Sequence, residues 1–289
     1  MLRTEVEDHL LPRDAPHTAR FPGDRLFLIA GPCQLEDDGL NLRVGDALAK
    51  LAERVPGGII YKASFDKANR SLVDGVRGPG LEKGLKALER VRAATGLPIL
   101  TDVHEAGQCA PAAEVVDVLQ IPAFLCRQTD LLLAAGASGR PVNVKKGQWM
   151  HPEGMRGAMR KVEAGAGLAG RPCGELAVTE RGTFFGYGDL VVDMRAFARL
   201  RASCDVPVVF DGTHSVQRPG LGLDGSSGGT REFIPSLVLA AVAAGAQGLF
   251  LETHPDPDHA PSDGPNMLPL DELSELVSRA VDIWDRVRQ

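Results

Sequence analysis

The chain has 289 residues, 44% hydrophobic and 24% charged, enough apolar material for a large core and too much for a mostly disordered protein. Thirty-two Lys and Arg against 38 Asp and Glu leave a net charge of −6. That balance argues against broad binding to nucleic acid or anionic membranes, so any anionic ligand must meet locally clustered cations.

Taken in chain order, residues 1–20 mix both charges with two prolines and are expected to form a short extension ahead of a domain spanning 21–289. Eight short Ile-, Val- and Leu-rich runs follow at 26–30, 59–62, 99–103, 116–121, 142–145, 176–179, 206–210 and 248–252. Longer amphipathic stretches separate them, with the clearest helical spacing over 40–54, 81–94, 233–244 and 270–287. Buried parallel strands joined by crossover helices produce this pattern. An open doubly wound sheet gives similar local signals, but eight alternating units predict a closed (β/α)8 TIM barrel as a single domain. The glycine-rich stretch 214–229 reads as a long loop, and 218–229 as a segment able to close over a site. Five widely spaced cysteines (Cys33, Cys109, Cys126, Cys173 and Cys204), odd in number and with no signal peptide before them, suggest reduced thiols and a cytoplasmic location. No apolar run reaches the roughly 18 residues of a membrane span.

Polar and ionisable residues collect at the C-terminal ends of the expected strands: Cys33, Lys62, Asp102, Gln120, Lys145, Lys146, Arg181, Asp211, His214, Glu252 and His254. A strand end reaching water explains any one of them, but the whole ring matches the active-site face of a barrel. Lys62, Lys67, Arg70, Arg127, Lys145, Lys146 and Arg181 would concentrate positive charge there, which suits a substrate with several phosphates or carboxylates. A lysine on a barrel strand can also form a Schiff base. Among so many other cations, Lys145 and Lys146 read better as anion binders.

The stretch Lys62-Ala-Ser-Phe-Asp-Lys-Ala-Asn-Arg-Ser71, followed by Arg77-Gly-Pro-Gly80, closely resembles the signature of the 3-deoxy-manno-octulosonate-8-phosphate synthase family. The likeness continues through Thr101-Asp-Val-His-Glu105, Gln120-Ile-Pro-Ala-Phe-Leu-Cys-Arg-Gln-Thr-Asp130, Asn143-Val-Lys-Lys146, Thr179-Glu-Arg-Gly182, Asp211-Gly-Thr-His214 and Glu252-Thr-His-Pro255. The resemblance implies a barrel transferase, commonly a homotetramer, that condenses phosphoenolpyruvate with arabinose 5-phosphate on the way to lipopolysaccharide. Carried over residue by residue, it implies catalytic roles for Lys62, Lys67, Lys145, Arg181, His214 and Asp211. Gln120 and Arg127 would help bind substrate, and Asn69, Arg70 and Ser71 would meet the sugar phosphate. Cys33, where metal-independent relatives have Asn, implies the metal-dependent class, with His214, Glu252 and Asp263 as the other ligands. Asp256 or Asp258 could replace Asp263, and a thiolate, an imidazole and two carboxylates suit zinc, iron or manganese alike. The sibling synthase that uses erythrose 4-phosphate is the alternative, but it expects Lys-Pro-Arg-Thr where this chain has Lys67-Ala-Asn-Arg70.

Overall fold

The apolar runs form strands because each is short, rich in β-branched residues and covered on both faces. The computed structural model describes residues 21–70, 73–218, 220 and 228–288, so the expected extension lies outside the described residues. Strands β1 (Phe27–Gln34), β2 (Ile59–Ser64), β3 (Ile99–Asp102), β4 (Val118–Ile121), β5 (Val142–Lys145), β6 (Leu176–Glu180), β7 (Val208–Asp211) and β8 (Gly248–His254) build the sheet. Each is followed in turn by helix α1 (Asp38–Ala52), α2 (Leu81–Thr95), α3 (Ala106–Val115), α4 (Thr129–Ala137), α5 (Arg156–Leu168), α6 (Ala196–Cys204), α7 (Ile234–Ala243) or α8 (Leu270–Val287). Neighbours in sequence pair in parallel, and β1 pairs with β8 as well as β2, closing the (β/α)8 barrel. No helix among the described residues is long and apolar enough to cross a membrane.

Local signals account for the helix boundaries. The Asp37 side chain accepts a hydrogen bond from Leu40 N at 3.0 Å, starting α1 slightly earlier than its apolar spacing suggests. A capping box between Glu105 and Gln108 starts α3 despite Pro111 inside it. Strand β4 begins later than expected because Val116 is spent closing α3, while β1 and β8 run further because loops bury the polar residues at their ends.

Period-two alternation divides the strands' side chains between two layers. Phe27, Ile29, Ile60, Leu100, Val118, Ala177, Val209 and Phe250 fill the barrel, with Phe21 packed against Phe27. The opposite faces pack on the helix ring through residues such as Leu28, Tyr61, Ile99, Val144 and Phe210. Two positions beyond the inward apolar residues come Lys62, Asp102, Gln120, Asp211 and Glu252, all buried. The interior therefore changes from hydrocarbon to charge at one level, and Phe250 forms its floor: Lys145 Nζ lies 3.6 Å from the ring centroid.

Candidate active site

Above that floor opens a cavity of about 760 Å³. Lys62, Lys67, Asn69, Arg70, Gln120, Lys145, Arg181, His214 and Asp263 all line it, together with Ser64, Asp102, His104, Gln148 and Gln217. Five predicted cations thus meet around one space. Arg127 is exposed and is not among the lining residues, and Ser71 and most of the 218–229 loop lie outside the described residues.

The buried cations are held by carboxylates. Lys62 Nζ donates to Glu252 Oε1 at 2.9 Å, Ser64 Oγ at 3.0 Å and the Cys33 carbonyl at 3.1 Å. Lys145 Nζ reaches Asp211 Oδ2 at 2.6 Å, and the same oxygen lies 2.8 Å from His214 Nδ1. Burial raises the carboxyl pKa of Asp211, but His214 and Lys145 overcome it and hold the group well below the usual range. Glu252 is depressed likewise, with Lys62 and His214 the largest forces opposing burial. Asp102 receives hydrogen bonds from Ser64 Oγ and from His104 Nε2, the latter at 3.0 Å. Arg181 Nη2 donates to Gln217 Oε1, while Arg181 Nη1 is buried with no hydrogen-bond partner among the described residues. A buried guanidinium nitrogen with nothing to donate to is a ready place for an anion.

Three of the four expected metal donors converge, and the fourth, His214, stands beside one of them. Cys33 Sγ, a Glu252 carboxylate oxygen and an Asp263 carboxylate oxygen lie within 4.8 Å of one another, and Sγ is 3.4 Å from Asp263 Oδ2. His214 Nε2 stands 3.3 Å from Glu252 Oε2. With Nδ1 held by Asp211, Nε2 is the ring nitrogen that faces Glu252. Cys33 and Asp263 both adopt left-handed backbone, φ 68° and 52°. Such a conformation costs of order 1–3 kcal/mol for a residue with a Cβ, and such residues concentrate at functional sites. The donor set fits a divalent transition metal. Burial and the charge of Glu252 push the Cys33 thiol far above its ordinary pKa, so coordination there would have to displace a proton.

Two expectations change. Lys146 does not join the anion-binding face: its neighbour Lys145 points inward, so Lys146 points out of the barrel, where Nζ lies 3.4 Å from Glu180 Oε1. Arg70 is also less free than a phosphate ligand would suggest. Its guanidinium donates to Ser262 Oγ, Gln34 Oε1, and the Pro261 and Val76 carbonyls. Strand parity was a signal that could have separated the two lysines. Gln148 and Gln217 were missed, and no sequence motif marks either; Gln217 bridges Arg181 to Asp263, its Nε2 lying 3.0 Å from Asp263 Oδ1.

The profile of the DAHP synthetase I family matches residues 18–287. A 2-dehydro-3-deoxyphosphooctonate aldolase from Nitrobacter winogradskyi is 56% identical over 260 residues, covering 90% of this chain and 88% of the relative. One from Rhodopseudomonas palustris is 57% identical over 252 residues, 87% of this chain and 85% of its own. A third, from a Bradyrhizobium species, is 54% identical over 263 residues, with 91% and 90% covered. With its barrel closed and its motifs gathered at one cavity, the chain belongs to the 2-dehydro-3-deoxyphosphooctonate aldolase family, within the DAHP synthetase I family.

Proposed function

We propose that this protein condenses phosphoenolpyruvate with D-arabinose 5-phosphate and water, giving 3-deoxy-D-manno-octulosonate 8-phosphate and phosphate. The observation that carries the reading is the meeting of Lys62, Lys67, Lys145 and Arg181 around one cavity, with Arg181 Nη1 unpaired among the described residues, in a net acidic chain. The names of the relatives favour arabinose 5-phosphate over the sibling's erythrose 4-phosphate.

In this reaction carbon 3 of phosphoenolpyruvate attacks the aldehyde carbon, a water oxygen bonds to carbon 2, and the carbon 2–oxygen bond breaks to release phosphate. Lys62, Lys67, Lys145 and Arg181 hold the carboxylate and phosphate of phosphoenolpyruvate, and Gln120 adds a polar wall. Asn69 and Arg70 line the same cavity and receive the sugar phosphate; Ser71, given the same role by the resemblance, lies outside the described residues. Arg70 must exchange some of its hydrogen bonds to 261–262 for that phosphate. The Asp211–His214 pair, fixed beside Lys145, orients the imidazole and can hold a proton at Nδ1. These fixed charges stabilise positive character at carbon 2 and negative character at the aldehyde oxygen without reorganising.

Cys33, His214, Glu252 and Asp263 would hold a divalent zinc, iron or manganese ion; the convergence of the Cys33, Glu252 and Asp263 donors, with His214 Nε2 beside Glu252, supports that assignment. When bound, such an ion supplies Lewis acidity that can orient an aldehyde or acidify water. The reading extends to a cytoplasmic homotetramer: free cysteines fit a reducing compartment, and the exposed rings of Phe124, Trp149, Phe185 and Tyr187 offer apolar surface to neighbouring subunits.

Phosphate release from phosphoenolpyruvate, measured with either sugar on chelator-treated enzyme with and without added zinc or manganese, tests the proposal. Metal-dependent release with arabinose 5-phosphate is expected. Release only with erythrose 4-phosphate would move the protein to the sibling activity, and undiminished release after chelation would remove the metal.

A further inference from the structure

Lys146 and Glu180 form a buried ion pair that the reaction scheme leaves unused. Both are about 1% exposed and line a separate cavity of about 420 Å³ outside the barrel, beneath Trp149, Phe184 and Phe185. The Lys146 ammonium reaches the carbonyls of Gly147, Met150 and Gly182 and Thr183 Oγ1 at 3.3–3.5 Å. It therefore joins the loop after β5 to the turn after β6. Glu180 Oε1 also accepts from the backbone nitrogens of Arg181 at 3.1 Å and Gly182 at 2.7 Å. The loop after β5 carries Gln148, and the turn after β6 carries Arg181; both line the main cavity.

We propose that Lys146 is a positioning residue for phosphoenolpyruvate: by neutralising Glu180 outside the barrel, it keeps the Arg181 guanidinium free to bind an anion inside. Without the ammonium, the buried Glu180 carboxylate would lose its ion-pair partner, a costly state. Arg199 lines the same outer cavity but is already paired with Glu153 and Asp193, whereas Arg181 adjoins Glu180 in the chain and its guanidinium feels the charges of Asp211 and then Glu180. Arg181 would turn toward Glu180 and leave the cavity. Among the described residues its guanidinium donates otherwise to Gln217, with Asp211 and Asp263 attracting it from the cavity side. This inference rests on the proposed binding of phosphoenolpyruvate by Arg181.

The test uses the full-length enzyme, with Lys146→Met, Lys146→Arg and Glu180→Gln compared in steady-state kinetics and in calorimetric binding of phosphoenolpyruvate. Lys146→Met is expected to raise the KM and Kd for phosphoenolpyruvate about tenfold or more while kcat and the KM for the sugar phosphate stay within about twofold. Lys146→Arg should restore most of the affinity. Glu180→Gln removes the charge that competes for Arg181, so combining it with Lys146→Met should recover affinity. A merely structural lysine would lower the active fraction, leaving both KM values unchanged. That result, or no recovery in the double variant, overturns the inference. If Lys146→Met does not fold, the soluble double variant carries the test, and tenfold weakened phosphoenolpyruvate binding by it is the overturning result. Wild-type enzyme inactive with arabinose 5-phosphate would instead sink the proposed reaction, while calorimetry would still read the role of Lys146.

Discussion

At Cys33, buried thiol chemistry opposes the proposed metal binding. Burial keeps the thiol protonated, yet only a thiolate ligates strongly. Adding zinc to chelator-treated protein should therefore release a proton, measurable in weakly buffered solution, and apparent affinity should rise with pH. Cys33→Asn should lose that proton release and weaken zinc retention while leaving the fold intact, because the side chains are of similar size. Unchanged stoichiometric zinc in this variant would take Cys33 out of the ligand set. Arg70 presents a different exchange, since its bonds to Ser262 and Pro261 hold the loop that carries Asp263. Arg70→Ala should raise the KM for arabinose 5-phosphate by about 10-fold or more, the scale of a lost charged hydrogen bond. Damage confined to the KM for phosphoenolpyruvate would show that the pocket is divided differently.

At the scale of elements, the site depends on how tightly the outer helices fit. Helices α4 and α5 approach through glycines: a Cβ on Gly136 would lie 1.9 Å from the Val162 carbonyl oxygen, and one on Gly165 would lie 2.0 Å from that of Leu133. Neither obstacle is a side-chain tip that can swing away; both are backbone. Gly165→Ala gains some helix propensity, but forcing the helices apart should dominate, costing about 1–3 kcal/mol or more. Urea unfolding should record this as a lower midpoint, and a midpoint at or above wild type would refute the close packing. The shift should reach the cavity as well, because α4 follows β4 with Gln120 and α5 follows β5 with Lys145. Most of these elements were legible in the sequence because the relevant signal lies within each run: β-branched residues, two-residue alternation and capping side chains. Lys146 shows how that same signal was underused, since adjacent strand residues face opposite ways. The Gln217 bridge was not legible, because its partners Arg181 and Asp263 come from distant loops whose conformations no local pattern specifies.

For the whole molecule, the barrel places a polyelectrolyte on a hydrocarbon plug. Closure brings the ends of β1, β7 and β8 side by side, which is why Glu252 can meet Cys33 on one flank and His214 on the other. The family's ring of polar strand ends was readable, whereas its internal pairing depended on the closed sheet. That pairing has a consequence for acid stability. Burial raises the carboxyl pKa values of Asp102, Asp211 and Glu252, but Lys62, His104, His214 and Lys145 outweigh it, so all three are depressed in the folded protein. Unfolding returns them to about 4, so the unfolded chain binds more protons in that range. Their contribution to stability is then fully present above about pH 5 and is lost as pH falls through the lower folded values. Urea midpoints should change little on this account between about pH 5 and 7 and decline steeply below about 4. Asp211→Asn removes one of the depressed groups and leaves Lys145 buried without its closest carboxylate. The variant should be less stable at pH 7 by about 3–5 kcal/mol, and its stability should fall less steeply in acid. A parallel decline in the two proteins would mean that Asp211 does not carry the folded-state charge assigned to it.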